Sequence, residues 1–220
     1  MIKDRTIPAL ALTVALAFAA PAFAQTVAST DTVTEPAPTA QGKSSRPNVA
    51  NAERVGEQER KKARLDVLLG RLAGADSKRQ ADRIGRHIMR RMGQSGSPTI
   101  DILMEQAGVL MRQKSYGPAL DLLDGVIRLR PEFAEGWNRR ATVHYLRGDY
   151  ASSLVDIAEV LRREPRHWGA LSGLSMILVA TDRKSEAAEV MDRALSVHPH
   201  LERMKERRDQ LRLELRGQAI

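Results

Sequence analysis

AEGWNRRATVHYLRGDYASSLVDIAEVLRREPRH, residues 134–167, decides how the rest of the chain is read. Apolar and small residues return every three or four positions in two runs, separated by Arg147-Gly148-Asp149 and closed by Pro165. This spacing predicts two amphipathic helices joined by a short turn, since a half-buried strand would alternate apolar and polar residues with period two. Trp137, two adjacent arginines, His144 and two tyrosines crowd the first half and invite a catalytic reading. Catalytic constellations are singular, whereas packing constellations recur, so the neighbouring sequence decides between them.

It recurs. Prolines stand at 131, 165 and 199, and aligned on them the chain falls without gaps into 100–133, 134–167 and 168–201. Position 4 of these units holds Leu103, Trp137 and Leu171; position 8 holds Ala107, Ala141 and Ser175; position 20 holds Ala119, Ser153 and Ala187. Small residues at 8 and 20 let two helices of one unit approach closely, and Leu123, Ile157 and Met191 at position 24 fill the space between units. The pattern resembles the tetratricopeptide repeat (TPR). That resemblance implies an all-α, right-handed α-solenoid of three TPR helix pairs, with an N-terminal helical pair before it and a C-terminal capping helix after it. The third unit departs furthest, with Ser185 where bulk is expected and Gly169 and Gly173 each weakening its first helix by up to about 1 kcal/mol relative to Ala, so it is expected to be the loosest.

The flanks complete the organisation. Residues 1–24 carry Lys3 and Arg5, then an apolar run, then Ala22-Phe23-Ala24, the pattern of a signal peptide cleaved after Ala24. Residues 25–52 are rich in Thr, Ser, Ala and Pro without an apolar period and are expected to be a disordered linker. Residues 53–96 should form a helical pair that caps the first unit, with Leu65, Leu68, Leu69 and Leu72 on one stripe and Ala81, Ile84, Ile88 and Met92 on the other. Ser77 and Gln80 have the spacing of a capping box, and Ser97-Pro98 that of an N-cap followed by Pro at the first helical position, opening a repeat domain over 97–217. Residues 202–217 form its cap, whose heavy charge suits the exposed end of a solenoid.

The chain of 220 residues carries a formal net charge of +8, and the leader takes two bases and one acid with it, which leaves +7. An excess of base ordinarily suggests nucleic acid. Export to the periplasm argues against that partner and turns the charge toward anionic membrane or cell-wall surfaces or an acidic protein. There is no cysteine, which excludes disulfides and a lipid-bearing cysteine.

Nothing in the sequence has the spacing of a catalytic motif, so no enzyme, no cofactor and no metal site are expected. His198-Pro199-His200 has two metal-capable rings without an evident third ligand, and Asp121 and Asp124 read as solvated acids. Binding is better supported. The resemblance implies a groove lined by positions 2, 5, 6, 9, 12 and 13 of each unit, centred here on Asn138, Arg139, Thr142 and Tyr145, with Met104, Met111 and Met176 as adaptable apolar contacts. The carboxylate clamp by which some such proteins hold chaperone tails is absent, since Met104, Gly108, Arg139, Gly169 and Gly173 occupy its positions. Arg140, at a usually apolar position, has no role that the sequence explains. The function expected is a periplasmic adaptor that holds a protein or peptide partner in cell-envelope assembly or integrity. The alternative is a basic structural protein whose helices at 78–91 and 201–216 bind an anionic surface directly.

Overall fold

The computed structural model describes residues 49–218. Among them are nine helices and no strand: α1 (Val49–Ala73), α2 (Lys78–Met92), α3 (Pro98–Arg112), α4 (Tyr116–Leu129), α5 (Ala134–Leu146), α6 (Tyr150–Arg163), α7 (Trp168–Ala180), α8 (Lys184–Val197) and α9 (Glu202–Gln218). The expected leader, and the linker as far as residue 48, lie outside the described residues. Residues 49–52, expected as linker, are instead the first turn of α1, where Ala50 and Ala52 favour helix.

Helices α3/α4, α5/α6 and α7/α8 are the three repeat units, each an antiparallel pair stacked on the next. Their cores straddle unit boundaries. Ile100, Met104, Ala107, Ala119, Leu123 and Val126 of the first unit are closed over by Val143 of the second. Ala141, Ile157 and Val160 of the second are closed by Ala170 and Ile177 of the third. Leu171, Leu178, Ala187, Met191 and Ala194 of the third are closed by Leu211 of α9, so α9 caps the stack in the register of a further first helix.

Each pair turns at the same place. Lys114, Gly148 and Asp182 stand at position 15 of their units with φ of 58°, 76° and 59°. Only the middle one is glycine, for which this left-handed conformation carries no Cβ penalty. Gly136 has a different task. A Cβ on it would lie 2.9 Å from Val126 Cγ1, so its bare backbone is what lets α5 approach α4.

The third unit is not loose. Trp168, Ala170, Leu171, Ser175, Ile177 and Leu178 of α7 are all buried, because this helix is apolar on most sides and is covered on most sides. Of its glycines Gly169 serves close approach, since a Cβ there would come within 3.2 Å of the His167 ring, whereas at Gly173 a Cβ would meet Ile157 at an ordinary 3.5 Å.

The placement of the N-terminal pair departs from expectation. Helices α1 and α2 pack on each other through Leu69, Leu72, Ala81, Ile84 and Ile88, and this apolar seam is completed by Trp168, Val197 and Leu201 of the third unit. They therefore lie along the edge where the proline turns fall and leave the outer face of α3 uncovered. Asp66 of α1 accepts from Arg166 beside Pro165 at 2.6 Å, and the Ala75 carbonyl meets His200 Nε2 beside Pro199 at 2.9 Å. An amphipathic stripe requires cover but does not specify which cover, and here Trp168, Val197 and Leu201 of the third unit supply it.

The predicted caps form with changes. Ser77 Oγ accepts from Gln80 N at 3.3 Å, but the Gln80 side chain accepts from Asp76 N rather than Ser77 N. Ser97 makes no side-chain cap. Asp101 instead accepts from Ser95 N at 2.9 Å, one turn into α3, and Arg130 donates to the Ser95 carbonyl.

Candidate interaction face

The first helices of the three units, α3, α5 and α7, present side by side the positions assigned to a groove. Thr142 is exposed on α5 and Met176 is exposed on α7, while Met111, Asn138, Arg139 and Tyr145 are half-buried. Met104 is not available. It lies in the core of the first unit at 3% exposure, because position 5 there turns between the helix pair and the next unit. What it offers the face is its backbone carbonyl.

Arg139 takes that carbonyl. Its Nη1 donates to Met104 O at 2.6 Å, and its Nε lies 3.5 Å from Glu135 Oε1. To do so the guanidinium crosses Gly108, where a Cβ would come within 3.3 Å of Nη1. The glycine that a carboxylate clamp would replace with a polar side chain is here the bed for an arginine that bolts α5 to α3. About a third of the Arg139 side chain remains accessible.

Glu135 is the hub of the face. Buried in the first turn of α5, it accepts from Asn138 Nδ2 at 3.0 Å as well as from Arg139, and it lies 3.3 Å from His167 Nε2. The N–H of Ala170 donates to His167 Nδ1 at 3.1 Å, capping α7. A ring nitrogen that accepts there carries no proton, so the proton sits on Nε2 and is donated to Glu135. The chain Met104, Arg139, Glu135, His167, Ala170 thus ties together all three units across one face. The sequence marked Arg139 and Asn138 as central, placed Glu135 on the face only as its position-2 residue, and missed His167. Their signal was present at position 2 of the second unit and in the last residue before the third.

Two aromatic groups frame the second unit. Tyr145 stacks on Tyr150 with ring centroids 5.6 Å apart, which fixes it at the turn between α5 and α6. Trp137 donates from Nε1 to the Pro131 carbonyl at 2.8 Å and lies between Arg140 and Arg163, whose guanidinium carbons sit 5.0 and 4.8 Å from its ring centroid. Arg140 finds its role on this side. It holds Asp156 of α6 through Nε and Nη2 and reaches Asp124 of α4 through Nη1 at 2.6 Å. These acids hold the Arg140 proton even more firmly than usual. Asp124 is therefore an ion-pair partner and not simply a solvated acid, while Asp121 is exposed as expected.

The His-Pro-His stretch is structural. His198 is buried, its ring edge-on to Trp168 at 5.6 Å between centroids, and His200 meets the Ala75 carbonyl. Both rings clasp the α1–α2 hairpin, and among the described residues no group of three or more potential ligands is gathered. Burial pushes His198 below the ordinary histidine pKa. A cleft of about 700 Å³ opens where this hairpin meets the first two units, lined by Lys61, Lys62 and Arg91 on one side and Asp101, Glu132 and Glu164 on the other.

The basic helices differ in what their charges do. Arg79, Arg83, Arg86 and Arg90 of α2 are all exposed, and none is held in an ion pair among the described residues. On α9, Arg207 pairs with Glu214, and Arg208 and Arg212 share Asp192. Half of its six bases are thus spent on its own fold, and Arg203, Lys205 and Arg216 are exposed.

Comparison with known proteins agrees with this geometry. The pattern of the tetratricopeptide repeat matches residues 104–160 and 153–200. A TPR repeat-containing protein of Rhizobium etli is 40% identical over 138 residues, covering 63% of this chain and 68% of that protein. Anaphase-promoting complex subunit 3 of Schizosaccharomyces pombe is 26% identical over 88 residues, which is 40% of this chain and 13% of that subunit. Among solved structures, the Sgt2 TPR domain from Aspergillus fumigatus superposes with a TM-score of 0.51 at 17% identity, covering 56% of this chain and 83% of that domain.

Proposed function

The chain belongs to the tetratricopeptide repeat family, and from that premise we propose that it is a non-enzymatic adaptor of the periplasm, holding a protein or peptide partner in cell-envelope assembly or integrity. The observation that carries the binding role is the face across α3, α5 and α7. Its polar groups are fixed in advance by the Arg139–Glu135–His167 chain, so a partner would meet a surface already ordered. Thr142 and Met176 stand out from it as the accessible contacts, with Met111 beside them as a yielding apolar one. Export rests on the leader-like residues 1–24, and the envelope role follows from export.

The test must spare the bolts. Arg139 and Tyr145 are held by neighbours, so replacing them would loosen the stack as well as the face. Thr142→Glu with Met176→Arg changes only accessible side chains. Photo-crosslinking from positions 142 and 176 in intact cells should capture one identifiable envelope protein, and the purified pair should bind at least about tenfold more weakly with the double variant. Equal affinity of both forms would sink the adaptor reading.

One observation favours direct attachment to an anionic surface instead, namely the four exposed, unpaired arginines of α2. That reading predicts salt-sensitive co-sedimentation with vesicles containing phosphatidylglycerol, abolished by Arg83→Glu with Arg86→Glu and indifferent to the face variant. Helix α9 would add Arg203, Lys205 and Arg216, which are exposed and held in no ion pair among the described residues.

A further inference from the structure

Four helices of this chain share one register, and three of them pack the same two positions against the preceding unit. Gly136 and Val143 of α5 lie against the first unit, Ala170 and Ile177 of α7 against the second, and Met204 and Leu211 of α9 against the third. The matching residues of α3 are Ile102 and Val109. Val143, Ile177 and Leu211 are each 0% exposed, whereas Ile102 is 55% exposed and Val109 37%. The face that elsewhere joins unit to unit is complete and apolar on the first unit, and the helices that precede it in sequence lie along the proline-turn edge instead.

The flank of that face is self-complementary. Glu105 and Arg112, seven residues apart and so on one stripe of α3, run beside Ile102 and Val109. Both are exposed, and neither has an ion-pair partner among the described residues. When two copies of one helix pack antiparallel about a two-fold axis, the same flanks face each other in reversed order. Glu105 of one copy then stands opposite Arg112 of the other, and the pair occurs twice.

From these observations we infer that the uncovered face of α3 is the seat of a homodimer, in which two chains meet α3 to antiparallel α3, with Ile102 and Val109 at the centre and reciprocal Glu105–Arg112 pairs beside them. The arrangement buries the apolar pair in the way that every later unit buries its own. Glu105 and Arg112 stand at positions 6 and 13 of the first unit, so the contact borders the interaction face at α3, while Thr142 of α5 and Met176 of α7 lie on other helices. Val109→Ile keeps the contact apolar, while Ile102→Asp places a charge at its centre.

Sedimentation equilibrium of the full chain tests this. The chain should be a dimer, and Glu105→Arg and Arg112→Glu should each weaken it at least about tenfold by setting like charges opposite each other. Mixed in equal amounts, these two variants should recover a heterodimer, because Arg then faces Glu at both pairs. Circular dichroism should show each variant folded, since both positions are exposed. A photo-crosslinker at position 102 should join two copies. A chain that stays monomeric up to roughly 100 µM overturns the inference. So does a dimer that the charge variants leave unmoved, or a crosslink from position 102 to residues 1–48 of the same chain or to a different protein.

Discussion

Arg140 and Asp156 meet end to end, Nε to Oδ2 at 2.9 Å and Nη2 to Oδ1 at 2.7 Å, and the carboxylate is 2% exposed. This bidentate pair takes the place that the third unit fills with an apolar contact. At the same two positions the third unit carries Leu174 and Val190, and the first carries Gln106 and Leu122. A buried carboxylate stripped of its guanidinium is expensive, whereas an apolar pair of like volume is not.

Arg140→Leu alone should therefore destabilise the domain by about 3 kcal/mol, and Arg140→Leu with Asp156→Val should restore it to within about 1 kcal/mol of the natural chain. Urea unfolding of the single and double variants measures both. If the double variant is no better than the single, the pair is not what this position requires.

The three left-handed turn residues make a matched series. Lys114→Gly and Asp182→Gly should each stabilise by up to about 1 kcal/mol, since the present residues hold a conformation that disfavours a Cβ. Gly148→Ala should cost about the same, and it meets no neighbouring atom within 4 Å that would confuse the reading. Thermal denaturation of the three variants should show two midpoints rising and one falling.

Gly136→Ala tests close approach. Its new Cβ would sit 2.9 Å from Val126 Cγ1, in a core where neither helix is free to retreat. The expected loss is about 1–3 kcal/mol, from overpacking and not from helix propensity, which alone would favour Ala. A gain in stability would mean that α4 and α5 can part.

Acid should loosen the N-terminal hairpin. Burial against Trp168 and Gly85 holds His198 below the ordinary value of about 6.5, partly offset by Asp82 and assisted by His200 and Lys78 nearby. The unfolded chain then takes up the proton before the folded one does. Stability is full above about pH 6.5, falls as pH drops through it, and levels once the folded-state pKa is passed. The urea midpoint should decline between pH 7.5 and 5, and His198→Gln should flatten that decline. An unchanged slope in the variant would assign the effect to other groups.

The helices and their stacking order were legible in the sequence because a period of 34 residues repeats the same local demands. Position 8 must be small, position 24 large and position 15 a turn, wherever the unit occurs, and α-helical spacing states which side of each helix is covered. The site was half legible. Arg139 and Asn138 could be placed on a face from their positions, but Met104 could not be known to turn inward, because position numbers fix the angle around a helix and not the depth of the neighbouring unit.

Three things belong to tertiary structure alone. Arg140 pairs with Asp156 across sixteen residues, and Arg166 with Asp66 across one hundred, both set by which surfaces meet and by nothing local. The N-terminal hairpin shows the reason most plainly. Its leucine stripe dictated that something must cover it, and a hydrophobic stripe has no address. Trp168 and the clasp of His198 and His200 supplied one at the proline-turn edge, which left Ile102 and Val109 bare at the start of the stack.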